Sequence, residues 1–414
     1  MMKRLLICLM VALFVRAAAA AETDDRVIRG LVRDRDSRQR LENVHVTLER
    51  GTIGTVSNAD GRFVLKIPAS EQSGGLRLSH IGYLDTVLSA DELAAAVQQR
   101  ELFLELVPTS RVVDVVTVIG GDPRAIVEEA LRRVADNYAA HEHLFSAFYR
   151  ETVQKRSRYI GVSEAVADVY KTGYNRRDVL RDRVQIRKGR RLISQSRRDT
   201  LAVKVAGGPA LPLLLDVVKN GDALFDESDL DDYVFSLELP VSAGDRLQYV
   251  VAFRPRIVRP YPLFEGRLFI DQQTLTITRA EFSLDVSDRD KATRVVLQRR
   301  PFGVKFRPQE VSFVVTYRLH EGRAYLNYMR NTIRFRCNWT RRLFASNYTS
   351  CSEMVMVERR RPDEQGIARK DAFARFGIFY DMVDNYWDED YWRDYNIIEP
   401  TESLEQAVHR LKRQ

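Results

Sequence analysis

The chain has 414 residues, 45% of them hydrophobic and 29% charged, with a formal net charge of +8. That apolar fraction excludes a disordered chain, and the length suffices for two or three packed domains. The mild basicity gives no argument for nucleic acid and suits contact with anionic glycans or lipid headgroups.

The first residues, MMKRLLICLMVALFVRAAAA, set Lys3 and Arg4 before an apolar run from Leu5 to Val15, with small residues ending near Ala19 or Ala21. Residues 1–21 read as a secretory signal, too short to span a bilayer. Cys8 lies inside the apolar run with no lipidation motif before it, so a lipid anchor is not expected. Without Lys3, Arg4 and Arg16 the net charge falls from +8 to +5. No later stretch is apolar for long enough to predict a transmembrane helix in the mature chain. Export also leaves Cys337 and Cys351 as an even pair, open either to a disulfide or to two free thiols.

From Val27 to Leu106 short β-runs alternate with turns, as in HVTLE and FVLKI, which predicts half-buried antiparallel strands in a small sandwich. Asn58, Asp60 and Gly61 have the spacing that opens a calcium loop. The distal glutamate and flanking helices of such a loop are missing, whereas Asx bonding and a left-handed glycine explain the same residues as a hairpin turn. The turn is the expected reading, with Phe63 starting the next strand.

Gly30, Asn43-Val44, Asp60-Gly61-x-Phe63, Pro68 and Ile81-Gly82-Tyr83, followed by VVDVVTV, fall in an order that resembles the carboxypeptidase-like regulatory domain. The resemblance implies a transthyretin-like β-sandwich over residues 25–118, of the kind that precedes many Gram-negative envelope proteins, with folding and interaction roles and no activity of its own. A metallocarboxypeptidase is excluded because none of His45, His80, His141, His143, His320 and His409 has a glutamate three residues on to complete a zinc pair. His141 and His143, two apart, do not share a helix face.

Asp122-Pro123 opens a predicted connecting helix within residues 119–144, with Ile126, Ala130, Leu131, Val134 and Tyr138 at helical spacing. Over residues 145–360 about ten longer strand runs follow with short links, which predicts one large curved antiparallel meander. GRLFIDQQTLTITRAEFSL is similar to a strand pair of outer-membrane lipoprotein carriers, and ALPLLLDVV is a candidate helix covering the sheet. Ten basic residues lie between Arg176 and Arg198, and six acids between Asp222 and Asp232. The two clusters read as solvated faces or as a mutual ionic seam, with an anion-docking strand as the alternative. Glu164 and Asp168 alternate with apolar neighbours, as on an exposed sheet face.

No nucleophile elbow, redox pair, dinucleotide or phosphate loop is present, so no catalytic residue, metal or cofactor is predicted. Carboxylates for a glycosidase pair need no fixed sequence spacing and stay open. The tail, residues 361–414, sets Tyr386, Trp387, Trp392 and Tyr395 among acids, suited to sugar stacking or to pinning the tail on its own domain. Its YWRDYNIIEPTESLEQAVHRL segment is similar to the ending of exported proteins that begin with the same regulatory domain. Thr401 caps a short amphipathic helix.

The sequence therefore predicts a mainly β protein with minor α. Its parts are an N-terminal β-sandwich, a connecting helix, a large curved antiparallel sheet and a docked C-terminal tail helix. The expected role is a non-enzymatic binding or assembly module, exported to the periplasm or the outer-membrane surface. An envelope protein or outer-membrane barrel is the expected partner and an anionic glycan or lipid the second. A carrier of an apolar ligand and a carboxylate-based glycan hydrolase are the alternatives.

Overall fold

The computed structural model describes residues 26–68, 71, 74–96, 101–109, 121–176, 178–194, 204–205, 208–224, 226–299, 302–340, 345–361, 366–375, 377–386 and 397–413. The signal segment and the VVDVVTV run lie outside the described residues. The protein is mainly β, with 50% strand and 18% helix.

The N-terminal unit is built from two small sheets. β1 (Arg26–Asp34) lies between β4 (Arg62–Ile67), to which it is antiparallel, and β7 (Leu102–Leu106), to which it is parallel. β2 (His45–Leu48), β3 (Gly54–Val56), β5 (Leu76–Ser79) and β6 (Thr86–Leu88) form the other sheet in the order β3-β2-β5-β6. Alternation puts Val46, Leu48, Phe63, Leu65, Leu76 and Leu78 into one core between them. The helix α1 (Ala90–Ala96) contributes Leu93 to that core.

α2 (Pro123–Arg132) starts where Asp122 caps the Arg124 amide and proline takes the first turn. Val127, Ala130 and Leu131 are its buried stripe. α3 (Val134–Asn137) continues the path to Tyr138, whose hydroxyl donates to the Ile277 carbonyl at 2.6 Å.

The large sheet holds ten strands: β8 (His143–Lys155), β9 (Arg158–Lys171), β10 (Arg183–Ile193), β12 (Tyr233–Ala243), β13 (Arg246–Pro255), β14 (Phe264–Asp271), β15 (Ile277–Leu284), β17 (Val304–His320), β18 (Arg323–Trp339) and β19 (Ser346–Arg360). The short β11 (Lys204–Val205) pairs with β16 (Leu297–Arg299) apart from it. The order β10-β9-β8-β19-β18-β17-β15-β14-β13-β12 corrects the expectation of one continuous meander. Two meanders meet where the last strand, β19, pairs with the first, β8. The chain reaches this arrangement by leaving at β10 and resuming at the opposite edge, β12.

The sheet is open, and each edge is protected differently. At β10, Phe379 and Val383 pack on Gly189, where a Cβ would stand 3.0 Å from Val383 Cγ2. At β12, Pro240 and a bulge between Glu238 and Val241 interrupt the free ladder.

Each face of the sheet is covered over part of its area. The inner face packs with α2, the segment around α4 (Leu211–Leu214) and residues near α6 (Phe379–Met382) in one core that includes Tyr149, Val169, Val251, Phe282, Met329 and Met356. Beyond it, α5 (Arg289–Val296) buries Ala292 and Val296 against Val304, Phe306, Phe335 and Cys337. The outer face receives the N-terminal unit through Val56, which packs with Phe148, Tyr328, Val355 and Val357.

Two turn glycines separate backbone strain from steric crowding. Gly61 has φ +71°, and a Cβ there would lie 2.4 Å from the Val32 carbonyl oxygen; Gly82 has φ +85° with nothing within 4 Å. Gly82→Ala should cost about 1 kcal/mol for the left-handed backbone alone. Gly61→Ala should cost clearly more, because the Val32 strand must also shift. Thermal denaturation of both variants checks the order, and equal losses would contradict the packing at Val32.

Candidate functional site

The seam between the N-terminal unit and the outer face of the large sheet gathers most of the unusual polar chemistry. Arg330 Nη1 pairs with Glu42 at 2.6 Å, Arg318 Nη2 donates to the Thr52 carbonyl at 2.9 Å, and the Gly82 amide donates to the Ser242 carbonyl at 2.6 Å. The Gly244 amide donates to the Tyr83 carbonyl at 3.0 Å. Gly82 and Tyr83, expected only as turn residues, thus also hold the seam. Tyr83 further donates its hydroxyl to Asp34 at 2.6 Å, which holds the Asp34 carboxyl below its usual range.

Two polar recesses open on this seam. One, of about 320 Å³, is lined by His45, Arg77, His80, Asp85, Arg279 and Arg318 among others. Its walls carry three buried polar atoms without a hydrogen-bond partner: His80 Nδ1, Asp85 Oδ1 and Arg318 Nη1. Burial, with repulsion from Arg279, pushes His45 down to about 3 and His80 to about 4. Burial likewise raises Asp85, and burial with Arg359 nearby lowers Arg318 to about 10. The other recess, of about 220 Å³, is lined by Asn58, Arg150, Tyr328, Arg330, Cys351 and Glu353 among others. Both recesses are rich in hydrogen-bond donors and acceptors.

The C-terminal tail closes the seam. Asn58 Oδ1 accepts from the Asp60 and Arg62 amides at 2.9 and 3.0 Å, and the Gly61 amide donates to the Asn58 carbonyl. This is the hairpin turn read from the sequence. The same residues do a second job that no local pattern announced. Asn58 Nδ2 donates to the Glu399 carbonyl at 3.0 Å, and Asp60 Oδ2 accepts from the Glu402 amide at 2.7 Å. Arg150 Nη2 donates to the Ile398 carbonyl at 2.7 Å. α7 (Glu402–Lys412), capped by Thr401, then lays Leu404 and Leu411 on Val162 and Leu192.

Of the tail aromatics, Tyr386 packs against the inner core, while Trp387, Trp392 and Tyr395 lie outside the described residues.

Of the two states left open for Cys337 and Cys351, the structure has free thiols. Cys337 is opposite Ser346, and Cys351 is opposite Thr332. The two positions are five residues out of register, so they fall on opposite faces of the sheet about 17 Å apart, far beyond disulfide reach. Burial raises both thiols, Cys337 up to about 12, so neither is an activated nucleophile.

Glu164 and Asp168 are also corrected, from an exposed face to a buried one. Arg150 Nε meets Glu164 at 2.7 Å and Arg190 Nε meets its other oxygen at 2.5 Å, under the tail. Asp168 holds Arg187 at 2.7 Å and Arg360 at 3.1 Å. The basic cluster therefore gives Arg187 and Arg190 to its own sheet. From the acidic cluster, Asp231 pairs with Arg124 and Asp232 with Arg259, each at 2.6 Å.

A second ionic group lies on the inner face. Lys171 Nζ bridges Asp182 at 3.0 Å and Asp216 at 2.7 Å, and Lys219 Nζ reaches Asp182 at 2.7 Å and the Thr172 carbonyl at 2.6 Å. Tyr174 and Tyr317 donate to the two oxygens of Asp216 at 2.7 and 2.8 Å. All four charged side chains have 0% exposure. Burial, reinforced by Lys171, pushes Lys219 down to about 8. Two cations and two anions cancel, and every carboxylate oxygen has a donor. Among the described residues no group of His, Cys, Asp and Glu could hold a metal ion.

With this geometry in view, comparison with known proteins identifies the N-terminal unit. Residues 28–118 match the CarboxypepD_reg-like domain family, so this part of the chain is a domain of that family. No curated protein matches the chain significantly. Among solved structures, a DUF1329 family protein from Desulfovibrio piger is 10% identical, covers 60% of this chain and 96% of its own, and has a TM-score of 0.25. A protein of unknown function from Bacteroides fragilis is 9% identical, covers 81% of this chain and 98% of its own, and has a TM-score of 0.16. Neither likeness is close enough to inform the site.

The inner ionic group gives a stability prediction. Lys219→Met leaves a buried net negative charge and should cost about 3–5 kcal/mol in urea denaturation. Lys219→Met with Asp182→Asn restores neutrality and should recover a large part of that loss.

The histidines give a second prediction. His45, His80 and His143 are held neutral by burial, at about 3, 4 and 4. Unfolded histidine takes up a proton near pH 6.5 while these do not, so stability should fall as pH drops from about 6.5 towards 4. Denaturation midpoints at pH 7 and pH 5 measure the slope, and a His45→Gln, His80→Gln, His143→Gln variant should flatten it.

Proposed function

We propose that this chain is a non-enzymatic binding or assembly module of the cell envelope, exported to the periplasm or the outer-membrane surface. The observation that carries the reading is how the ionisable groups are used. The buried Lys171, Asp182, Asp216 and Lys219 are saturated by one another and by tyrosines, and Arg150 and Glu164 are tied under the tail. The recesses open to ligands lie at the seam of a CarboxypepD_reg-like domain and are lined by recognition groups. The expected partner is an envelope protein, such as an outer-membrane barrel formed by another chain.

The glycan-hydrolase alternative has one observation in its favour, since Asp182 and Asp216 approach closely enough to share Lys171. Their complete burial leaves no path for a sugar in the folded state. The apolar-carrier alternative needs a hollow sheet interior. Side chains from α2, the α4 region and the α6 region occupy that face, which weighs against it.

Affinity capture from mildly solubilised envelope with the mature chain as bait should recover a stoichiometric envelope protein. Arg330→Glu or deletion of residues 397–414 should loosen the seam and weaken the capture. Hydrolysis of envelope glycans by the purified chain, lost in Asp216→Asn, would overturn the reading.

A further inference from the structure

One end of the large sheet combines exposed apolar side chains with basic residues, several of which have no ion-pair partner among the described residues. Strand alternation puts the β13–β14 loop, the β15–β17 connection with α5, and the end of β18 at the same end. Val258 and Phe302 leave 88% and 107% of their surface in solvent there, with Tyr261 and Val295 more than half exposed. Prolines on both sides of Tyr261 stiffen its loop. Lys291 Nζ donates to the Arg259 carbonyl at 2.8 Å, tying α5 to that loop, so Val295 and Tyr261 belong to one surface. These residues are not needed inside, because α5 already fills its buried side with Ala292 and Val296.

The charge at this end has one sign over long stretches. Residues 254–263 carry three arginines and no acid in sequence; Arg259 pairs with Asp232 and Arg256 donates to the Asp231 carbonyl, while Arg254 has no ion-pair partner among the described residues. Asp288 caps α5 through the Asp290 and Lys291 amides and pairs with Lys291 at 3.6 Å, and Asp290 is the one acid within the helix. Arg307 and Arg336 stand directly opposite each other on β17 and β18, both exposed, and neither has an ion-pair partner among the described residues. Like charges in that register cost stability unless an anion lies over them. Arg254 on β13, Arg289 and Arg294 on α5, and Lys305 on β17 are exposed at the same end of the sheet.

We propose that this end of the sheet docks on an anionic phospholipid surface, with Phe302, Val258, Tyr261 and Val295 entering the interface and the arginines facing the phosphates. Isolated exposed apolar residues are common on any surface. Here they sit on loop tips and a helix at the sheet end that also carries the unpaired Arg307 and Arg336, a combination that a charged lipid surface complements. No helix of the described residues is long and apolar enough to cross a membrane, so the contact is peripheral. The inference rests on the envelope-module reading and names one of its partners.

The test is co-sedimentation of the mature full-length chain with vesicles of phosphatidylcholine alone or with 30%, roughly, phosphatidylglycerol. Binding is expected only with the anionic lipid and should fall steeply between low and high salt. Arg307→Gln and Arg336→Gln should each weaken it about fivefold, and Phe302→Ser with Val258→Ser should weaken it further at every salt concentration. Arg38→Gln, exposed on the N-terminal domain, should leave it unchanged. All five substituted positions are exposed, so unchanged melting curves will show that folding is intact. Equal binding to both vesicles, no binding to the anionic ones, or indifference to the two arginine substitutions overturns the proposal. If vesicles fail while an envelope protein is still captured, the surface belongs to that protein and the module reading survives; if glycan hydrolysis is found instead, it is the module reading that falls.

Discussion

The protein is arranged around a ten-stranded antiparallel sheet, part of which is covered on both faces. An antiparallel sheet usually keeps one face wet, and its strands then carry charges that water solvates. Here the outer face receives the CarboxypepD_reg-like domain and the tail, and the inner face receives α2 and the segments around α4 and α6. Every charge on the covered strands must consequently find a partner inside the protein, at a cost of several kcal/mol for each that does not. The Lys171 quartet and the Arg150–Glu164–Arg190 group are the two results, one for each face.

That constraint also explains why the N-terminal domain and tail behave as parts of one body. Asn58 spends its carbonyl oxygen on its own turn and its amide nitrogen on Glu399. Arg150 spends one nitrogen on Glu164 and another on Ile398. Each is therefore a junction among the turn, the sheet and the tail, and none of the three can leave without stranding a buried polar group. The unpartnered atoms around the larger recess show the opposite condition, where the seam is not sealed by the protein alone.

Local signals were legible in the sequence and distant ones were not. The alternation in HVTLE and FVLKI, Asp60-Gly61, and the Asp122-Pro123 helix start report on residues within a few positions, and strands, turn and helix stand where those signals put them. The union of β19 with β8 depends on strands some two hundred residues apart, and no alternation pattern encodes which edge receives a returning chain. Glu164 looked exposed because it alternates correctly; only the tail, arriving from the far end, buries it. Lys171 and Lys219 gave no signal, since a lysine destined for the interior is spelled like any other. A helpful hint was available in ALPLLLDVVK, where Asp216 and Lys219 flank apolar residues on a segment already expected to cover the sheet.

The two proposed binding surfaces are far enough apart to work together. Arg318 sits at the seam and Arg307 at the basic end of the same strand, β17, and the usual rise per residue separates them by about 35 Å. The domain contacts run along the lower part of β17, β18 and β19, through Thr316, Arg318 and Arg330, while the basic and apolar residues occupy the part that extends past β15. That overhang packs on its inner side with α5 and Leu297 of β16, and Arg307 and Arg336 on its other side are exposed. A sheet that only had to support the N-terminal domain would gain little from extending β17, β18 and β19 beyond β15. That length holds the basic end away from the seam, so the lipid contact proposed at one end would leave the recesses at the other open to the proposed protein partner.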